Sequence, residues 1–380
     1  MASRSKKKNN HFVPRSYLRR FRSGSDREIS LFNIKSEKTI TSAPMKSQCS
    51  RDYFYTKNPI FEDEFAKIEG RQKILLDEIL SSRSVPQQGS RRRSELSSGI
   101  MFQAGRTASA VVRADHLTNQ FGKSLLRHHF EREGKVDLLE YLPKVEISTV
   151  DAVMDSIGQH LLMGPLIDDL DCTLLLNETS EDFLTSDHPI VLCNSLPGIR
   201  ASDRNLGFAS PGLIILYPIS PRAILFLSDP KAYMVDKQAG RTSLRREQDV
   251  VNLNLAQFGN AYENVYFSNA ANVQRTLDQF REQSDVVRIA RPEVLETEFN
   301  LSDGRRRILL HMPVETRRQR LPRAVQIRYS FRRRSHKEED ILARDAWRVS
   351  MVNETLVHFN KRREKATREA KSKAKENLGE

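Results

Sequence analysis

Apolar residues near the start of the chain recur at the spacing of one face of a helix. They are Val13, Tyr17, Leu18 and Phe21. The arginines on the opposite side are Arg15, Arg19 and Arg22. Pro14 suits the first position of such a helix, because the N–H that a proline lacks is not needed there. The pattern predicts a short amphipathic helix that packs on the core and holds His11 just before its first turn.

The period of the apolar positions then changes along the chain. Residues 28–33 and 38–41 predict a β-hairpin, and the aromatic run at 53–55 is strand-like. Helical spacing predicts helices between residues 61 and 162. Short apolar strands follow, at residues 172–177, 183–185, 190–194, 213–217 and 223–227. A helix at 246–262 and a strand at 265–268 close this block.

This order of elements predicts an α+β fold. A small N-terminal β unit is followed by a central helical block and then by a β-rich block whose sheet is mixed or antiparallel. We expect one core domain over residues 1–300, with a basic arm at 1–10. Residues 301–380 form a basic C-terminal extension, with a strand at 308–310 and a helix-compatible stretch at 338–375. Its last residues are typical of a solvated helix or of disorder.

Charge is unevenly distributed along the chain. The net charge of the chain is +13, and the positive charge lies at its two ends. Residues 1–22 carry eight Lys/Arg and no acid, and residues 301–380 carry 22 Lys/Arg against 11 Asp/Glu. The segment between them, residues 23–300, is mildly acidic. Basic ends are typical of proteins that contact a polyanion such as nucleic acid, although solvated tails give the same composition. We expect nucleic acid as the partner; the oligomeric state stays open.

Cysteine use and hydropathy suggest the compartment. The three cysteines are scattered and form no Cys-x-x-Cys pair, as expected in a reducing compartment. The longest apolar stretch, residues 212–227, is interrupted by Pro218, Pro221 and Arg222, so it does not predict a membrane span. We expect a soluble, cytoplasmic protein without a membrane partner.

Several short motifs resemble those of a bacterial family, the domain of unknown function 4238. They are His11-Phe12-Val13-Pro14 with Tyr17, Leu18 and Phe21; residues 51–55, 68–70 and 103–106; Thr185-Ser186-Asp187-His188-Pro189; and residues 217–221 and 251–254. They occur in family order over about residues 10–270. His188 departs from the family pattern, in which Asn is more frequent. The resemblance implies no known activity and no catalytic set.

No familiar catalytic motif occurs in the sequence. Phosphate-binding glycine loops, His-Glu-x-x-His, Gly-x-Ser-x-Gly and zinc-type cysteine pairs are all absent. The usual ATPase, zinc-protease and α/β-hydrolase mechanisms are therefore disfavoured. The sequence contains no metal-binding motif, so no set of metal ligands is assigned, and the cofactor stays unknown.

The strongest polar group is Asp187 with His188, between two apolar strands. Asp187 is a candidate general base or metal ligand, and His188 is its neighbour with a pKa near neutrality. The alternative is a turn in which Asp187 caps backbone N–H groups. His11 is a second candidate acid or base, with Arg15 as a phosphate contact, unless His11 only orients the N-terminal helix.

Arg106 interrupts an apolar helical stretch, and Gln103 lies three residues earlier on the same face. In a structural role, Arg106 pairs with an acid or extends to solvent. In a functional role, it binds an anionic substrate together with Gln103. The functional hypothesis is a module that acts on phosphate substrates or nucleic acid, with hydrolysis as the reaction. Its catalytic residues would be His11, Asp187 and His188, and its substrate-binding residues Arg15, Arg106 and Gln103. The alternative is a non-catalytic module that binds nucleic acid or protein.

Overall fold

Two larger sheets and a set of helices make up most of the described chain. The computed structural model describes residues 9–52, 54–55, 59–149, 151–196, 207–282, 295–300, 306–311, 319–332, 344–358 and 361. The α-helices are α1 (Arg15–Leu18), α2 (Pro59–Ser82), α3 (Arg91–Gly105), α4 (Ala108–Arg132), α5 (Ala152–Leu162), α6 (Glu247–Asn260), α7 (Gln274–Glu282) and α8 (Tyr329–Arg332). Residues 346–358 are also helical.

The strands lie at the two ends of the helical block. They are β1 (Asn9–His11), β2 (Glu28–Asn33), β3 (Lys38–Pro44), β4 (Ser50–Asp52), β5 (Asp171–Asn177), β6 (Thr185–Ser186), β7 (Val191–Asn194), β8 (Leu213–Ser220), β9 (Ala223–Ser228), β10 (Tyr233–Val235), β11 (Arg241–Leu244), β12 (Asn264–Phe267), β13 (Leu295–Asn300), β14 (Arg306–His311) and β15 (Val325–Ile327). The chain is α+β, as its pattern predicts.

The sequence predicted a sheet that is mixed or antiparallel, and the two larger sheets of the structure are one of each type. The five-stranded sheet has the order β11-β5-β9-β8-β7, and it is mixed because β11 runs parallel to β5 while the other pairs are antiparallel. The four-stranded sheet, β3-β2-β12-β6, is antiparallel. Almost every residue of β8 and β9 is buried. These strands therefore form continuous apolar runs instead of alternating with polar residues.

The N-terminal apolar face is buried as predicted. Val13, Tyr17, Leu18 and Phe21 all lie in the main core. The helix is shorter than a continuous one from Pro14 to Phe21, because α1 ends at Leu18 and a 3-10 turn, Arg19–Phe21, continues it. Tyr17 stacks on Tyr217 of β8, with ring centroids 5.3 Å apart. This contact attaches the N-terminal segment to the five-stranded sheet.

The structure adds one local feature here and corrects one prediction. His11 lies before the first turn of the helix as predicted, and it belongs to strand β1, which pairs with β4. The predicted aromatic strand at 53–55 is wrong for Phe54 and Tyr55, because β4 ends at Asp52; Tyr53 lies outside the described residues. The Tyr55 ring packs against helix side chains, including Phe65, and this packing outweighs its strand propensity.

Segments beyond residue 300 pack on the rest of the chain. β15 pairs with β10, and Val325 is buried in a core cluster. The Arg344 guanidinium is buried and binds both carboxylate oxygens of Asp169, at 2.7 and 3.0 Å. The strand expected at 308–310 lies within β14. The domain boundary at residue 300 stays a prediction. Val325 and Arg344 lie beyond it in the sequence, but both pack against residues that precede it.

Within the described residues, no helix combines the length and apolar character that crossing a membrane requires.

Candidate functional site

Arg106, at the C-terminal end of α3, is fully buried and bound to protein acceptors. Its Nε donates to Tyr55 Oη at 2.7 Å, and one Nη donates to the His11 carbonyl at 2.6 Å. The same Nη lies 2.6 Å from Glu69 Oε1. The guanidinium also stacks over the Phe102 ring, 4.7 Å from its centroid. Arg106 thus joins β1, the Tyr55 segment and α2.

Gln103, one helical turn before Arg106, also binds a backbone carbonyl of the N-terminal segment. Its Nε2 donates to the Phe12 carbonyl at 3.1 Å. The cavity beside Gln103 and Arg106 has a volume of about 20 Å³. A space of this size holds one water molecule and not a phosphate group. The two side chains therefore secure consecutive carbonyls of the N-terminal segment, which disfavours a substrate role for them.

His11 reaches Arg106 through its backbone, not through its ring. Its Nδ1 donates to the Gln48 carbonyl at 3.1 Å, and the ring is half-buried. Burial lowers the pKa of His11, and the positive charges of Arg15 and Arg106 lower it further, although the Gln48 hydrogen bond opposes the shift. Arg15 itself is exposed. The contact between His11 and Arg106 therefore positions the chain.

The Asp187 carboxylate is engaged by backbone amides. It accepts the N–H groups of Tyr262, Glu263 and Asn264, at 2.8, 2.7 and 3.0 Å. Burial raises the pKa of Asp187 to about 6, while these hydrogen bonds act in the opposite direction. The contact links the end of β6 to the turn between α6 and β12. In the described part of the chain, no hydrogen bond or ion pair joins this carboxylate to His11 or to Arg106.

His188 lies beside a different set of residues. Its ring is buried, with 6% of the residue exposed, and Nδ1 lies 2.6 Å from Thr107 Oγ1. Burial lowers the pKa of His188 to about 3, with further lowering by the positive charge of Arg113 and by His160. The ring is therefore neutral at pH 7. The structure thus separates His188 from Asp187 and directs it towards α4 and α5.

His160 is held in a fixed orientation on α5. Its Nδ1 donates to the Ser156 carbonyl at 2.8 Å, so the neutral ring has an unprotonated Nε2. Its ring contacts Phe208 edge-on, with centroids 5.7 Å apart. A Cβ atom at Gly105 would lie 2.8 Å from the His160 side chain. The absence of a side chain at Gly105 therefore allows α3 to approach the imidazole this closely.

Arg113 completes this group from α4. It is half-buried, and burial lowers its pKa. Its positive charge lowers the pKa of both His160 and His188, so the guanidinium lies within electrostatic range of both rings. In the part of the chain that the structure describes, no carboxylate forms an ion pair with Arg113. We refer to Arg113, His160 and His188 as the Arg113 cluster.

Sequence reasoning identified only one member of this cluster, His188. Arg113 follows the apolar pair Val111-Val112, and His160 precedes Leu161-Leu162. Each is a polar residue beside apolar ones, but the sequence pattern did not indicate that α4 and α5 bring the two together. The cluster offers imidazole nitrogens and one cation. Across the described residues, no three His, Cys, Asp or Glu side chains are placed to hold a metal ion, and the donor set favours an anion.

Comparison with known proteins identifies the family. A family model described as protein of unknown function DUF4238 matches residues 9–271. The chain belongs to the DUF4238 family. No curated protein and no solved structure matches it. The match includes all three residues of the Arg113 cluster, whereas β15 and Arg344 of this DUF4238 protein lie beyond its end. The cluster is therefore part of the family region and not of the C-terminal segments.

Proposed function

We propose that this DUF4238 protein binds the phosphate group of a small phosphate ester at the Arg113 cluster and hydrolyses that ester. The observation that supports the proposal is Arg113, a half-buried cation beside two neutral imidazoles and without an ion-pair partner among the described residues. Buried charges in proteins are usually compensated. A phosphate group would supply the missing negative charge, and a guanidinium binds phosphate in a bidentate manner.

His188 would assist binding as a hydrogen-bond donor. Thr107 Oγ1 already accepts the Ala110 N–H at 3.2 Å, so its hydroxyl hydrogen is available for His188 Nδ1. The neutral ring then carries its proton on Nε2. A neutral imidazole can donate this hydrogen bond without adding a second positive charge beside Arg113. The low pKa of His188 is consistent with that role.

His160 would act as the general base. Its Nδ1 is fixed on the Ser156 carbonyl, which leaves the Nε2 lone pair free to accept a proton. A water oxygen attacks phosphorus and gives one proton to His160 Nε2. The bond from phosphorus to the leaving oxygen breaks, and that oxygen takes up the proton from His160. The products are inorganic phosphate and an alcohol, with no other reactant required.

We favour a small substrate over an internal segment of a nucleic acid, because His188 is only 6% exposed. Nucleic-acid contact through the basic ends stays a separate prediction, since residues 1–8 and 362–380 lie outside the described residues. The cytoplasmic location also stays a prediction.

The binding step is tested with inorganic phosphate as the probe. We expect phosphate to raise the pKa of His160 and of His188 in an NMR titration of the full chain, because an anion stabilises the protonated rings. Arg113→Gln should abolish both shifts. Arg132→Gln, on the same helix and exposed, is the matched control and should behave like the wild type. Unchanged histidine pKa values in the wild type would refute the proposal.

The chemical step is tested with p-nitrophenyl phosphate. Hydrolysis should be lost in His160→Gln and retained in His129→Gln, a control at an exposed position of α4. Both variants should melt close to the wild-type temperature. If inorganic phosphate binds but p-nitrophenyl phosphate is not hydrolysed, the proposed binding site stands and the proposed hydrolase activity is refuted.

A further inference from the structure

Strand β11 is an edge of the five-stranded sheet among the described strands. The carbonyl of Gly240 accepts the N–H of Leu174 in β5, and the carbonyl of Leu244 accepts the N–H of Glu178, the residue directly after β5. Backbone groups of successive residues point to alternate sides of a strand, so those of Arg241 and Ser243 face away from β5. Arg241 bonds to Gln238 on that side. The backbone N–H and carbonyl of Ser243 therefore lie along the outer edge.

A broad groove with a volume of about 880 Å³ runs beside this edge. Its basic side chains are Lys237, Arg241, Arg245, Arg246 and Arg323, and its acidic side chains are Asp236 and Asp249. The groove is therefore positively charged overall. A strand edge beside a basic groove has the two features needed to hold an acidic chain segment.

Some of these charges are already paired within the protein. Lys237 pairs with Asp171, and Arg245 pairs with Glu178. The buried Asp249 carboxylate accepts the backbone N–H of Arg323 at 3.3 Å. Arg246 and Arg323 are exposed, and neither side chain forms an ion pair with any residue that the structure describes. These two arginines are the best placed to bind an external anion.

We propose that β11 binds an extended acidic peptide from a partner protein as an added strand. Its backbone pairs with the outer edge at Ser243, and its carboxylates bind Arg246 and Arg323. Main-chain pairing supplies affinity in this mode of recognition, and side-chain contacts supply specificity. Single-stranded nucleic acid is the less favoured occupant, because its binding sites stack bases on aromatic rings and no aromatic residue lines this groove. The inference does not depend on the Arg113 cluster.

The charge requirement is tested by fluorescence anisotropy with a labelled peptide of alternating glutamate and valine. The double variant Arg246→Ala/Arg323→Ala should weaken binding about tenfold, the loss expected when two exposed charge contacts are removed. Arg132→Ala, which removes an exposed arginine outside the groove, should leave affinity unchanged. Equal affinity for a peptide of alternating lysine and valine would overturn the proposal.

The backbone requirement needs its own measurement. Peptide binding should slow hydrogen exchange at the Ser243 amide of the wild-type chain. Ser243→Pro should abolish binding, because proline removes the donor, whereas Ser243→Ala retains the amide and should bind. The exchange measurement decides the question if Ser243→Pro fails to fold. No protection at Ser243 would exclude strand addition, and tighter binding of oligothymidylate than of the acidic peptide would identify a nucleic-acid surface instead.

Discussion

The Arg106 guanidinium donates a hydrogen bond to the backbone carbonyl of His11, 95 positions earlier in the chain. The sequence suggested that the two residues share one site, with His11 as an acid or base and Arg106 as the anion contact, because each is a polar residue beside apolar ones. Their contact is made through a carbonyl oxygen, which takes no part in proton transfer. The pair therefore fixes the position of β1 on α3, and the half-buried His11 ring is bound to Gln48.

Replacing Arg106 tests this interpretation. Arg106→Met leaves the Glu69 carboxylate and the His11 carbonyl without their donor, and we expect a loss of about 3 kcal/mol in the free energy of unfolding. Urea denaturation measures the change. Arg71→Met, at an exposed position of α2, is the control and should lie within about 0.5 kcal/mol of the wild type. Equal midpoints for the two variants would contradict a structural role for Arg106.

A second prediction concerns two asparagines on α6. Asn254 is buried; its Oδ1 accepts the Leu184 N–H at 3.1 Å and its Nδ2 donates to the Asp182 carbonyl at 2.8 Å. Asn254→Ala leaves both partners unsatisfied, and we expect it to cost about 2–4 kcal/mol. Asn252 is half-buried, and its side chain accepts only from Gln248 on the same helix in the described structure.

Asn252→Ala is therefore the matched control for Asn254→Ala, and it should cost less than about 1 kcal/mol. Thermal melts of both variants provide the comparison. A larger loss for Asn252→Ala than for Asn254→Ala would show that the segment at 182–184 is held by other contacts.

The third prediction concerns pH. The pKa of His188 is about 3 in the folded chain, and the ordinary value for an unfolded chain is about 6.5. The unfolded state therefore binds more protons between these two values, so this group makes stability fall as the pH is lowered through that window. His188→Gln removes the group. Its stability should fall less than that of the wild type between about pH 6.5 and pH 4.

Urea denaturation at several pH values measures the difference between the two proteins. His129→Gln, which replaces an exposed histidine, is the control and should follow the wild-type curve. Parallel curves for wild type and His188→Gln would show that the imidazole is solvated enough to titrate normally.

The fourth prediction concerns Arg344. Besides both Asp169 oxygens, its guanidinium binds the carbonyls of Phe208 and Ser210, at 3.0 and 2.9 Å. Arg344→Met should cost about 3 kcal/mol, because it breaks the ion pair between the buried guanidinium and the half-buried Asp169 carboxylate. Arg320→Met, at an exposed position, should have little effect on the melting temperature. An unchanged melting temperature for Arg344→Met would show that this contact is dispensable for folding.

The sequence predicted the features that depend on residues close together along the chain, such as the apolar face of a helix. The apolar face with Val13 and Tyr17 follows from four-residue spacing, and that face is buried. The sequence did not predict pairings between distant segments. The Glu69 partner of Arg106 lies on another helix, and the meeting of Arg113 with His160 depends on the packing of α4 against α5. Periodicity within one helix carries no information about which helix will lie against it.

The position of β12 between β2 and β6 has a consequence during synthesis. The hairpin of β2 and β3 leaves the ribosome early, but Asn33 and Asn264, which β12 brings together, are 231 positions apart. At ordinary translation speeds that interval lasts on the order of 10–50 s. Throughout it, the β2 edge that will pair with β12 has no native partner on the growing chain. A nascent chain of this protein therefore offers an unpaired apolar strand to chaperones, and to neighbouring chains on the same message, before it can close its own sheet.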